Sequence, residues 1–92
     1  MELEHYRQQL DEVDRQLAQL FCQRMELAGK VAAYKRVHGL PILDPGREQA
    51  IRERLCAQAP LALQEDLNAL YSTLFALSRA YQERCLHTGE TK

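Results

Sequence analysis

The chain is poor in cysteine, and what it has is not arranged for a framework: Cys22, Cys56 and Cys85 are odd in number, widely spaced and free of any C-x-x-C pattern. That excludes a disulfide scaffold and a zinc site of the usual ligand spacing, and the three read as buried or incidental thiols. Only four glycines and three prolines occur, and apolar residues reach 46%, a globular rather than a disordered composition. Charge of one sign is also missing. Twelve Lys and Arg meet thirteen Asp and Glu, so no bulk basic field exists to hold nucleic acid or an anionic membrane, and any anion binding must be local. No apolar run approaches membrane-spanning length, and the start, Met1-Glu2-Leu3-Glu4-His5, lacks a basic and an apolar signal region, so a cytoplasmic location is expected. Internal repeats, low-complexity tracts and strand-like alternation are absent too.

What is present is helical periodicity. Tyr6, Leu10, Val13, Leu17, Leu20, Arg24, Leu27, Val31, Tyr34 and His38 keep an alternating four-three spacing, and Gly39 with Pro41 supplies a C-cap and a stop. A first helix is expected over about residues 4–38. At ~1.5 Å per residue it is roughly 50 Å long, against a radius of gyration of about 12 Å for a compact domain of this size, so its own chain cannot cover it. Asp44-Pro45 opens a second helix, about 45–58, that should turn Ala50, Ile51 and Leu55 inward. After Ala59-Pro60, the spacing of Leu63, Leu67, Leu70, Leu74, Leu77 and Tyr81 predicts a third helix over about 64–86, with a frayed polar tail from His87 to Lys92. The expected fold is all-α, a single domain over 1–92 with three helices per chain (long, short, long) in an intertwined homodimeric bundle.

The informative positions are polar residues within apolar stripes, because burying a charge is costly unless something pairs with it. Arg24 interrupts the first seam, and Lys35, eleven residues on, lies on nearly the same face. Each cation either pairs with a helix 2 carboxylate or snorkels to water, or both face a ligand carboxylate. Tyr71, Phe75, Ser78 and Gln82 form a second stripe on helix 3 that turns from aromatic to polar. Back-bonding by Ser78 and a surface amide at Gln82 are the ordinary readings; a polar pocket inside the bundle is the alternative. In helix 2, Asp44 suits an N-cap and Glu48 the first turn, whereas a cation there, Arg47, opposes the helix dipole and suggests another use. Arg7 lies seventeen residues before Arg24, about 25 Å along the axis, so one chain cannot bring both to a small ligand. By itself Arg7 reads as an ordinary exposed residue; if both serve one pocket, antiparallel pairing of two first helices about a two-fold near Leu17 would deliver it, a step that rests on the resemblance given next.

These pieces, Arg7 within Tyr6-Arg7-Gln8-Gln9-Leu10-Asp11, Arg24-Met25-Glu26-Leu27, Lys35, Asp44-Pro45-Gly46-Arg47-Glu48, and Ser78 with Gln82, occur in an order and at separations that resemble the all-helical chorismate mutases over about residues 3–87. The resemblance implies a homodimeric, cofactor-free and metal-free isomerase of aromatic amino acid biosynthesis that converts chorismate to prephenate. It implies that Arg24 and the partner subunit's Arg7 hold the substrate carboxylates, with Arg47 closing the pocket. Lys35 and Gln82 would be the catalytic donors to the ether oxygen. Glu48 would accept from the ring hydroxyl, helped by the main chain near Asp44, and Ser78 would assist at a carboxylate. An amide at position 82 donates without titrating, so activity should extend broadly towards neutral pH. The chain ends after the matching segment, so no fused domain and no allosteric module are expected, while activation by a separate partner protein stays open without being indicated. Two other readings stand beside this one: an isochorismate-pyruvate lyase on a similar scaffold, and a non-catalytic helical dimerisation module.

Overall fold

The computed structural model describes residues 2–90, with side chains from residue 2 to 87. Three α-helices account for most of it: α1 over Glu2–Val37, α2 over Pro45–Gln58 and α3 over Gln64–Glu90, with a single 3-10 turn at Leu61–Leu63 before α3. The all-α class and the long, short, long order are as the periodicity implies. The third helix runs on through His87 to Glu90, where a frayed tail was expected; Thr91 and Lys92 lie outside the described residues.

Each boundary has a local cause. α1 ends in a Schellman turn: Gly39 takes φ +66, a conformation that disfavours a Cβ, the Gly39 N–H donates to Arg36 O, and the Leu40 N–H donates to Lys35 O at 2.8 Å. Asp44 caps α2, its Oδ1 accepting the Arg47 N–H at 3.1 Å, and Pro45 fills the first helical position, where no N–H is needed. The α2–α3 turn is tied by Gln64 Nε2 donating to Ala59 O and by Cys56 Sγ to Gln64 O.

α1 and α2 both pack on α3. The resulting core is small, Met25, Ala28 and Ala32 from α1, Ile51 from α2 and Phe75 from α3, with Ser78 and Gln82 buried among them. Two sequence expectations change here. Of the three expected inward from α2, Ile51 and Leu55 are so placed but Ala50 is exposed, because Ile51 and Leu55 share one face and Ala50 lies a hundred degrees round. On α3 the stripe of Tyr71, Phe75, Ser78 and Gln82 faces the rest of the chain, while Leu70 and Leu77, like Leu63 in the turn before it, are about half exposed. Of the cysteines, Cys22 is exposed and the other two are half-buried, so none is a core thiol.

The N-terminal part of the first seam is not used within the chain. Tyr6, Leu10, Val13, Leu17, Leu20 and Leu27 are 50–60% exposed, and every residue of α1 from Glu2 to Gln23 is open to solvent. α1 therefore projects beyond the other two helices, giving a radius of gyration of 16.6 Å and extents of 54 × 30 × 14 Å. The apolar stripe is left continuous and bare within the chain. Among the described residues no helix is long and apolar enough to cross a membrane.

Candidate active site

All three helices and the α1–α2 loop contribute to one cavity of about 290 Å³. Its α1 wall is Arg24, Leu27, Ala28, Val31 and Lys35, so the later part of the seam borders the cavity. Its α3 wall is Phe75, Ser78, Arg79 and Gln82, and the N-terminal part of α2 brings Arg47, Glu48 and Ile51 over the opening. Seven of the eight residues singled out in the sequence thus meet: Arg24, Lys35, Asp44, Arg47, Glu48, Ser78 and Gln82. Arg7 does not; it sits on the projecting half of α1, where side chains are exposed.

The packing presets several of these groups. Phe75 is 3% exposed and forms an apolar floor, with the Arg24 Cζ 5.6 Å from its ring centroid on one approach and the Arg52 Cζ 5.0 Å away on another. The negative ring face attracts each guanidinium and limits the orientations Arg24 samples. Lys35 donates to the Ile42 carbonyl at 3.1 Å, which anchors the loop leading to α2 and leaves two of its three N–H bonds free. Gln82 Nε2 donates to Ser78 Oγ at 3.1 Å, whereas Gln82 Oε1 is buried with no partner. A buried polar atom without a hydrogen bond typically costs about 1–3 kcal/mol, so an arrangement in which a ligand satisfies this amide is favoured.

One charged member of the cavity was not foreseen. Arg79 donates to Glu48 Oε2 in an ion pair that bridges α2 and α3, with the Glu48 side chain 15% exposed. Residues 31 positions apart carry no spacing signal, and Arg79 on its own reads as a solvated arginine beside a polar stripe. Arg52, stacked on Phe75, was equally silent.

Electrostatically, four cations, Arg24, Lys35, Arg47 and Arg79, face two carboxylates, Asp44 and Glu48. Asp44 is engaged at the helix cap and Glu48 with Arg79, and the cations outnumber the carboxylates by two. Such a cavity suits a compact dianion. The fixed N–H donors, none of which must give up a proton, suit a reaction that shifts charge without transferring atoms.

The chain matches the sequence model of the family described as chorismate mutase type II over residues 6–83. It is 47% identical over 49 residues to the T-protein of Haemophilus influenzae, covering 53% of this chain and 13% of that protein. With the 4-amino-4-deoxychorismate mutase of Streptomyces venezuelae it shares 34% over 58 residues, 63% of this chain and 56% of the other. With the chorismate mutase of Methanocaldococcus jannaschii it shares 40% over 53 residues, 58% and 54% respectively. The aligned part thus spans about half the length of two of these relatives and a small part of the third. No solved structure matches significantly.

Proposed function

Because the chain belongs to the chorismate mutase type II family, we propose that it converts chorismate to prephenate, a step towards aromatic amino acids, at the cavity between its three helices. The observation that supports this reading most directly is the convergence of Arg24, Lys35, Arg47 and Gln82 on one cavity with an excess of positive charge. Chorismate carries two carboxylates, an enol ether and a ring hydroxyl, and this donor set suits a carboxylate and the ether oxygen.

The reaction is a pericyclic Claisen rearrangement. The ether C–O bond breaks as a C–C bond forms between the enolpyruvyl end and the ring, and no atom enters or leaves, so neither nucleophile nor cofactor is required. Arg24 holds one carboxylate and Arg47 closes over the substrate from α2, with Ser78 assisting at a carboxylate. Clamping both ends selects the compact chair-like conformer and removes freedom that opposes reaction. As the ether bond stretches, negative charge grows on its oxygen; Lys35 and the Gln82 amide donate there and bind the transition state more strongly than the substrate. Glu48 accepts the ring hydroxyl, with the main chain near Asp44 alongside.

The active form in this reading is a homodimer. Two copies of α1 lie antiparallel, each covering the other's exposed seam, and the partner subunit's Arg7 reaches the second carboxylate. A separation of about 25 Å between Arg7 and Arg24 along one helix supports delivery in trans rather than in cis. The cytoplasm is the proposed location, a reducing compartment in which an exposed thiol such as Cys22 stays free.

The direct test is incubation with chorismate and, separately, with isochorismate. Formation of prephenate from chorismate is the expected result. Pyruvate released from isochorismate, with chorismate left untouched, would instead establish a lyase.

A further inference from the structure

Arg79 has no part in the roles above, and its ion pair with Glu48 bears on which substrates the cavity accepts. Arg79 stands on α3 next to Ser78 with its side chain 34% exposed, and the Glu48 side chain on α2 is more enclosed still. Exposed pairs contribute little, but a partly enclosed one changes the local charge that a ligand meets, because low dielectric weakens the screening. Arg79 takes Glu48 Oε2; among the described residues no hydrogen bond involves Oε1, which is left as an acceptor at the cavity wall. Asp44 Oδ1, the alternative acid, is committed to the Arg47 N–H.

We propose that Arg79 acts as a specificity-determining residue, making Glu48 an acceptor for a neutral ring hydroxyl and disfavouring substrates that carry an ammonium group at the same ring position. The proposal rests on the chorismate reading of the cavity. A hydroxyl needs only a lone pair, and Oε1 offers one whether or not the carboxylate charge is balanced. An ammonium group needs uncompensated negative charge, and beside Glu48 it meets the Arg79 guanidinium, a like charge within a few ångströms. The wider cavity acts in the same direction. Its cations outnumber its carboxylates by two, enough to balance a dicarboxylate with a neutral donor. Adding a positive group to the ligand leaves that excess unmet.

The experiment compares kcat/KM for chorismate and for 4-amino-4-deoxychorismate, its ring-amine counterpart, in the wild type, Arg79→Gln and Arg79→Lys. The wild type should prefer the hydroxyl substrate. Arg79→Gln should move the ratio towards the amine by at least about tenfold, the scale of one unit charge removed at short range under partial screening, while Arg79→Lys should retain the preference. A second measurement does not depend on any variant folding: in the wild type, kcat/KM for the amine relative to chorismate should climb as pH rises through the ammonium pKa, since the neutral amine escapes the repulsion. An unaltered ratio in folded Arg79→Gln, or no climb with pH, would overturn the selectivity while chorismate turnover remained intact. Turnover of neither substrate by the wild type would remove the mutase reading itself and this proposal with it.

Discussion

Gln82 and Ser78 are linked at 3.1 Å on the buried face of α3, and this bond determines which end of the Gln82 amide is offered to a ligand. With Nε2 on Ser78 Oγ, the carbonyl Oε1 is left buried and unpartnered. A half-turn of the amide exchanges the two: the Ser78 hydroxyl donates to Oε1, and the NH2 takes the unpartnered place, where an ether oxygen can accept from it. Replacing Gln82 by Leu should therefore lower kcat by about a hundredfold, the usual loss for one donor to a developing oxyanion, whereas Ser78→Ala should cost several-fold. Equal losses in the two variants would contradict an orienting role for Ser78.

Gln82→Glu tests the same contact through pH. A carboxyl group donates only while protonated, so the variant should be most active at acid pH and lose activity as pH rises through that group's pKa, near 4.3 if unperturbed. The wild type, whose amide does not titrate, should show no such fall. A pH profile of kcat/KM for both proteins decides it.

Arg7→Ala and Arg24→Ala homodimers should each be nearly inactive. Mixed, unfolded and refolded together, they form heterodimers in which one site has both arginines and the other neither, and random pairing should restore about a quarter of wild-type activity. Well-formed heterodimers without activity would refute delivery of Arg7 in trans.

The exposed seam of α1 predicts that stability depends on concentration. If a second copy covers Leu10, Leu17 and Leu20, the unfolding temperature should rise with protein concentration, as for any association linked to folding. Leu17→Glu should shift the protein towards monomers in sedimentation experiments and reduce helicity. A monomeric mass with a concentration-independent Tm would speak against association through this face.

Gly29 lies inside α1, opposite Tyr81 and Cys85. A Cβ there would sit 3.5 Å from Cys85 Sγ and 3.7 Å from Tyr81 Cε2, ordinary van der Waals separations. Gly29→Ala should therefore keep the helix packing and stabilise the protein by up to about 1 kcal/mol through helix propensity, read as a higher urea midpoint.

Asp44 has a separable structural role. Losing its bond to the Arg47 N–H in Asp44→Ala should cost about 1 kcal/mol, while Asp44→Asn should retain the cap, since either side chain offers an oxygen. Chemical denaturation of the two variants distinguishes them.

Periodicity and capping chemistry in the sequence determined the three helices, the stop at Gly39 and the start at Asp44, because those causes act within a few residues of one another. The sequence also marked seven of the cavity's residues: Arg24, Lys35, Ser78 and Gln82 as polar groups within apolar stripes, and Asp44, Arg47 and Glu48 in the first turn of the second helix, with roles implied by the family resemblance. Which stripe faces which neighbour was decided only by tertiary structure. The seam from Tyr6 to Leu20 lies on the exposed half of α1, the stripe from Tyr71 to Gln82 points towards α1 and α2, and Ala50 faces water. A helix with two apolar faces buries whichever one its partners meet, and spacing along one chain does not rank them. The pairing of Arg79 with Glu48 belongs to the same class: a contact across 31 residues exists because α2 folds back onto α3, and nothing local to either residue announces it.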